Sequence, residues 1–224
     1  MGEEKSNQHK EILDQQRGYW EKALRDMPEM FGPGPSDAAR KAAEFFKKGE
    51  KWKILELGGG QGRDALFFAE NGFHVTVLDY CESGIVAIAD KAREAGLSHS
   101  ITARCQDIRN PLPFGDESFD ACYSHMLYCM AFTTQELESI SKEIHRILRP
   151  GGLNIYTVRH TNDPHFGKGE HRGEDMYEVN GFIVHFFSME KVRRHAEGYE
   201  IVDVDKFEEG TLPRKLFRVT LRKK

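Results

Sequence analysis

Three carboxylates, three spaced glycines and a group of histidines stand where chemistry is possible. Within ILELGGGQGRD, Ile54 to Asp64, the glycines Gly58, Gly60 and Gly62 recur at every second residue, with Glu56 just before them. Glycines straight after an apolar run let a ligand lie against backbone that a Cβ would otherwise shield. Asp79 ends the next apolar run, and Asp107 follows the third. A carboxylate placed like Asp79 accepts hydrogen bonds from ribose hydroxyls, and Glu56 is placed to face a ligand's amino group. A tight turn without a ligand is the other reading of the glycines alone. Four histidines, His125, His160, His165 and His185, follow later runs, with Arg159, Asp175 and Tyr177 nearby. They read either as a polar pocket for a second substrate, strongest at His125, Arg159 and His160, or as the ordinary content of exposed loops. With Asp163, Glu170 and Asp175 they also invite a metal reading. Neither an HxxxH helix nor a cysteine pair supports it, and no metal is expected.

The elements that must position these groups alternate. Trp52–Leu57 is a short apolar run, as a strand buried on both faces requires. Helical spacing runs from about Asp64 to Glu70 and stops at Asn71-Gly72. Phe73–Asp79 is a second strand. Ser83 is placed to cap a helix carrying Ile85, Ile88, Ala89 and Ala92 on one face, stopped by Gly96. Ser100–Gln106 and Ser118–Ser124 are the third and fourth strands. Thr133 and Glu136 form a capping box for a helix with Leu137, Ile140, Ile144 and Ile147 at helical spacing. Arg149–Gly152 breaks that helix, and Leu153–Val158 is a fifth strand. Ser188 caps a last helix ending near Gly198. Two final strands, joined only by Gly210–Arg214, predict an antiparallel hairpin. This order predicts an α/β fold: a doubly wound, mostly parallel seven-stranded sheet with helices on both faces and an antiparallel C-terminal hairpin. Ligands of such sheets bind beyond the C-terminal strand ends, where strand order reverses.

Residues 1–50 fall outside the alternation and read as a helical lid or appendage. Tyr19, Trp20, Met27, Met30 and Phe31 are its apolar contacts, and the loop Met30–Ser36 is its hinge. Residues 51–224 form the binding domain, with an insertion at about 159–186. The 224 residues carry 32 basic and 36 acidic side chains, a formal net charge of −4. That balance supports neither a nucleic-acid nor an anionic-membrane partner. No apolar run approaches ~18 residues, and the polar start MGEEKSNQHKE lacks the apolar core of a secretion signal. Cys81, Cys105, Cys122 and Cys129 form no CxxC pair and read as reduced thiols of a cytoplasmic protein. Cys122 and Cys129 offer a soft-metalloid alternative, but a cysteine within a core strand behaves as a small hydrophobe. A monomer or homodimer is expected.

Glu56, the glycine loop, Asp79, Asp107, PLPFGDESFDA (Pro111–Ala121) and LRPGG arrive in an order that resembles class I S-adenosylmethionine-dependent methyltransferases. The resemblance covers about residues 52–158 and extends more weakly to the hairpin. It implies S-adenosyl-L-methionine as cofactor, with the methionine part against Gly58, Gly60 and Gly62, and the ribose on Asp79. It implies adenine against Asp107 and Ile108, with Tyr80 and Cys81 flanking. GQGRDALFFAENGFHVTVLD, with FFSMEKVRRHAEGYEIV and the basic hairpin, also resembles the tellurite-resistance methyltransferase branch. The inserted loop is longer than that branch suggests, so its substrate does not transfer. A small-molecule methyl acceptor is expected.

Methyl transfer from a sulfonium is an in-line displacement, and alignment alone contributes roughly 7–11 kcal/mol. Tyr128 and Tyr19 are candidates for cation–π contact with the sulfonium. An alcohol or amine acceptor needs a base, His125 or His160. An oxyanion or thiolate needs none, and Arg159 then partners the anion. A cofactor-binding protein without catalysis is the main alternative. A nicotinamide oxidoreductase is the lesser one, since the GxGxxG spacing is absent.

Overall fold

Side-chain alternation along the first strand, β1 (Lys53–Leu57), decides the layers. Ile54 packs into one buried cluster, and Leu55 and Leu57 into another on the opposite face. The computed structural model of the chain describes residues 2–210 and 214–224, and the side chains of all these except 2–10, 13 and 14. Thr211, Leu212 and Pro213 of the expected hairpin loop lie outside the described residues.

Two N-terminal helices, α1 (Gly2–Asp26) and α2 (Asp37–Lys48), precede β1. Then come α3 (Arg63–Glu70), β2 (His74–Asp79), α4 (Glu82–Glu94), β3 (Ile101–Cys105), β4 (Phe119–His125), α5 (Thr134–Ile147) and β5 (Leu148–Arg159). An inserted sheet of β6 (Glu170–His171), β7 (Met176–Val179) and β8 (Phe182–His185) follows, then α6 (Met189–Arg194), β9 (Tyr199–Glu209) and β10 (Arg214–Lys223). The main sheet has seven strands in the order β3-β2-β1-β4-β5-β10-β9. Neighbours from β3 to β5 are parallel, and β10 runs antiparallel to β5 and β9. β1 pairs with both β2 and β4, so strand order reverses beside the glycine loop, the site expected for a ligand.

Helices cover both faces. Ala39, Ala42 and Phe46 of α2, Phe68 of α3 and Ile88 of α4 pack on Ile54, Val77 and Tyr123. Leu137, Ile140, Ile144 and Ile147 of α5, with Val192 of α6, pack on Leu55, Cys122, Tyr156 and Val219. Thr133 and Glu136 form the expected capping box at the start of α5. Thr133→Ala should therefore lower folding stability by about 1 kcal/mol, read by urea denaturation. An unchanged midpoint would contradict that role.

Three elements differ from the sequence expectation. Ser83 does not cap α4, which begins one residue earlier behind Cys81. Instead Ser83 donates its backbone N–H to Glu21 Oε1 and its hydroxyl to the Glu21 carbonyl, tying α4 to α1. Arg149–Gly152 ends α5, yet the chain passes directly into β5 rather than into a loop. The insertion after Arg159 contains a three-stranded antiparallel sheet. Its β7–β8 turn carries Asn180 and Gly181, both with positive φ, the pair a tight hairpin turn favours. Among the described residues, no helix is long and apolar enough to cross a membrane.

Candidate active site at the strand-order reversal

A cavity of about 620 Å³ opens over the C-terminal ends of β1, β2 and β4. One end is bordered by Gly58, Gly60, Asp79, Tyr80, Asp107 and Ile108, and the other by His125, Met126, Arg159, His165 and Glu209. The volume lies within the range typical of small-molecule sites.

Gly58 and Gly60 adopt φ of 71° and 54°, the left-handed region in which a side chain is strained. The turn is pinned from both sides. Gly58 donates to the Leu78 carbonyl at 2.7 Å, and Gly60 donates to Asp79 Oδ2 at 2.9 Å. Gly62 stands outside the cavity lining, at the start of α3, where a Cβ would come within 2.8 Å of Ile88. It is a packing glycine rather than part of the ligand wall.

Asp79 is nearly sealed from solvent. Its Oδ1 accepts from the Cys81 N–H at 2.9 Å, while Oδ2 takes Gly60. Burial pushes its pKa up, the two backbone N–H groups pull it down, and the balance stays above the ordinary value. Each oxygen keeps a second lone pair, so ribose hydroxyls can be accepted without breaking the loop. Asp107 accepts from Arg109 Nε at 3.0 and 2.9 Å. Burial raises its pKa, but Arg109 brings it below the ordinary value. Ile108 supplies an apolar face beside it, and burial pushes the Tyr80 hydroxyl well up, keeping it neutral.

Glu56 does not border the cavity; it lies buried behind the glycine loop. Its Oε2 has no hydrogen-bond partner, and burial, with Asp64 nearby, raises its pKa well above the ordinary value. Next to it, Asp64 accepts from Ser36 N at 2.8 Å, Ser36 Oγ at 2.7 Å and Tyr123 OH at 3.0 Å. That buried network fastens the start of α2 to the glycine loop's helix and was not legible as a motif.

At the other end, His125 borders the cavity with Nδ1 3.0 Å from Thr157 Oγ1 and Nε2 3.1 Å from Glu209 Oε2. The second contact is short but poorly aligned, an ion-pair contact rather than a formed hydrogen bond. Met126 beside it has φ 58°, a strained value for methionine, held by bonds from its N–H to the Thr157 carbonyl and hydroxyl. Arg159 reaches the cavity wall, but its guanidinium is held by Asp163 at 3.1 and 2.5 Å.

His160 and Tyr128 are not brought to the site. His160 neighbours Arg159 in an extended segment and points the opposite way, stacking on Phe217 at 4.6 Å. Tyr128 is fully buried, stacked on Tyr156 at 4.6 Å, and neither face is open to a sulfonium. His185 is also buried, donating from Nδ1 to the Phe132 carbonyl and accepting from Lys191.

α1 and the loop after it roof the cavity. Gln61 Nε2 donates to the Leu24 and Met27 carbonyls at 2.8 and 2.7 Å, and Arg63 donates to the Phe31 carbonyl at 2.8 Å. At the far end, Gln16 donates to the Gly181 carbonyl at 2.7 Å, and Trp20 meets Phe182 edge-on at 5.4 Å. Tyr19, Trp20, Met30 and Phe31 border the cavity, whereas Met27 does not.

Residues 54–152 match the methyltransferase domain family. That match covers just under half of the chain, and the sheet order is that of the class I methyltransferase fold. Sterol 4-C-methyltransferase strm-1 of Caenorhabditis elegans is 29% identical over 133 residues, 58% of this chain and 38% of that protein. The chain thus spans well under half the length of such curated relatives. In fold, it is similar to the Burkholderia thailandensis 1,6-didemethyltoxoflavin-N1-methyltransferase, solved with 1,6-didemethyltoxoflavin and S-adenosylhomocysteine. The TM-score is 0.74 at 18% identity, over 95% of this chain and 89% of that one. TehB of Haemophilus influenzae is similar with TM-score 0.66 at 19% identity, over 84% of this chain and 62% of that one.

The residues fit the cofactor. Side-chain-free backbone at Gly58 and Gly60 borders the cavity, and a carboxylate with spare lone pairs stands one strand over.

Proposed function

We propose that the protein transfers the methyl group of S-adenosyl-L-methionine to a small-molecule acceptor seated beside His125. The observation carrying this reading is the continuity of one cavity from the glycine loop and Asp79 to His125. The bound cofactor supplies an activated methyl group on a positively charged sulfur. Gly58 and Gly60 let its methionine part approach the backbone, Asp79 holds the ribose, and Asp107, Ile108 and Tyr80 enclose the adenine. Trp20, Phe31 and Leu24 exclude water from above. We assign α1 and its following loop the role of a lid, opening at Gly32–Pro35.

The acceptor lobe sets the polar groups His125, Arg159, His165 and Glu209 against apolar walls at Met126, Leu127, Met130, Phe132, Phe182 and Val184. Such walls suit a compact, largely apolar molecule rather than a macromolecule. Similarity to a sterol methyltransferase and, in fold, to a 1,6-didemethyltoxoflavin-N1-methyltransferase is compatible with that size class and selects neither substrate.

A metabolite extract incubated with labelled S-adenosylmethionine tests the reading. Transfer of label to a small molecule is expected; cofactor binding without transfer to anything would favour a non-catalytic role. His125→Ala should lower turnover about tenfold while cofactor affinity, read by calorimetry, stays within a few-fold. Loss of cofactor binding in that variant would contradict the division between the two lobes.

A further inference from the structure

Glu209 is the last residue of β9, opposite Arg214 across the hairpin, and it enters the acceptor lobe from the far edge of the sheet. Its Oε2 is sealed from solvent, makes no hydrogen bond and lies 3.1 Å from His125 Nε2. Two lone pairs 3.1 Å apart would repel, so we place the His125 proton on Nε2, where it offsets the buried carboxylate charge without forming an aligned hydrogen bond. His125 Nδ1 is then the acceptor for the Thr157 hydroxyl, which in turn accepts the Met126 N–H at 2.9 Å. Both imidazole nitrogens are thereby occupied. In this arrangement His125 has no free basic nitrogen to offer an acceptor molecule.

The carboxylate does. Oε1 of Glu209 is the oxygen not engaged with His125, on a side chain that borders the cavity. Burial raises the Glu209 pKa, but the His125 contact and the Arg63 and Arg214 charges more than offset it. We propose that Glu209 is the proton acceptor of the methyl-transfer site, with His125 and Thr157 as its positioning residues, and that the acceptor molecule presents an O–H or N–H group on an apolar body. This rests on the methyltransferase reading above.

The step balances without a further reactant. The acceptor's O–H or N–H bond breaks and its proton passes to Glu209 Oε1. The new bond forms from oxygen or nitrogen to the methyl carbon. The carbon–sulfur bond breaks, its electron pair stays on sulfur, and the proton later leaves to water. An acceptor already lacking that proton, such as a thiolate or a metalloid oxyanion, would meet a carboxylate of the same sign and be disfavoured.

The test uses the protein saturated with S-adenosylhomocysteine and two probes of nearly equal shape, 4-nitrophenol and 4-nitroanisole. The first can donate a hydrogen bond to Glu209 and the second cannot. In mildly acidic buffer, where the first is a neutral phenol, calorimetry should show it binding about tenfold more tightly, the size of a hydrogen bond to a charged group. Glu209→Gln should reduce that ratio to within about twofold while S-adenosylhomocysteine affinity is kept. Should Glu209→Gln fail to fold, Glu209→Asp, which withdraws the charge from the cavity, should give an intermediate ratio. Equal binding of the two probes, binding of neither, or an undiminished ratio in the variants would overturn the assignment. Failure of S-adenosylhomocysteine to bind at all would instead overturn the methyltransferase reading.

Discussion

Replacing Asp79 by alanine is expected to weaken S-adenosyl-L-methionine binding ten- to a hundredfold. Two effects add. The ribose loses a charged hydrogen-bond acceptor, worth about 1.5–3 kcal/mol. The backbone N–H groups of Gly60 and Cys81, which Asp79 accepts at 2.9 Å each, lose their partner, so the glycine turn loses its anchor. Asp79→Asn separates the two effects. Asparagine keeps one carbonyl oxygen, so it can hold one backbone N–H but not both. Its affinity should fall between those of the wild type and Asp79→Ala. Calorimetric titration of all three proteins with the cofactor reads the result. Unchanged affinity in Asp79→Ala would count against the assigned ribose site.

The second large effect is acid sensitivity centred on His195. This imidazole is buried with neither nitrogen hydrogen-bonded, packed 5.7 Å from the Phe187 ring. Burial pushes its pKa down to about 4. The unfolded value is about 6.5, so between pH 6.5 and 4 the unfolded chain binds a proton that the native state refuses. Stability from this residue is therefore complete above pH 6.5 and is lost as pH falls toward 4, by about 1.4 kcal/mol per pH unit and about 3 kcal/mol in all. His185, pushed to about 4 by burial and by Lys191, adds a loss of the same sign. Glu56 and Asp79, with raised pKa values, act in the opposite direction, so the wild-type curve alone is ambiguous. His195→Phe isolates the effect. Its stability advantage over the wild type, read by urea denaturation, should grow from pH 7 to pH 5. Parallel curves would contradict the assignment.

The half of the site proposed for the cofactor is legible in the chain because its parts are local. A glycine turn must follow its strand, Asp79 ends the next strand and Asp107 stands two residues beyond the third, so the strand pattern places them. Gly62 satisfies the same spacing for a different reason, close packing on Ile88. A glycine spacing cannot distinguish ligand approach from helix packing. Gly84 shows the converse. It lies inside α4 with no motif around it, yet a Cβ there would stand 2.5 Å from the Gly60 carbonyl oxygen.

The acceptor half is less legible because it is assembled across the sheet. Glu209 meets His125 only after β10 inserts between β5 and β9, and nothing in either residue's neighbourhood announces the pair. His160 was separable in principle. Adjacent residues of an extended segment face opposite ways, so Arg159 and His160 cannot both line one cavity. Tyr128 was not separable, since the short turn Leu127–Cys129 brings Leu127 and Cys129 to the cavity and turns Tyr128 into the core. In the insertion, Asn180-Gly181 carried a hairpin signal within a segment whose polar composition suggests only a loop.

The structure of the complex with S-adenosylhomocysteine decides whether the glycine turn and Asp79 hold the cofactor. Ribose hydroxyls are expected on Asp79, the amino-acid part along Gly58 and Gly60, adenine beside Ile108, and the sulfur directed toward the lobe that holds His125 and Glu209. A nucleoside bound elsewhere, or with its sulfur directed away from that lobe, would contradict that assignment.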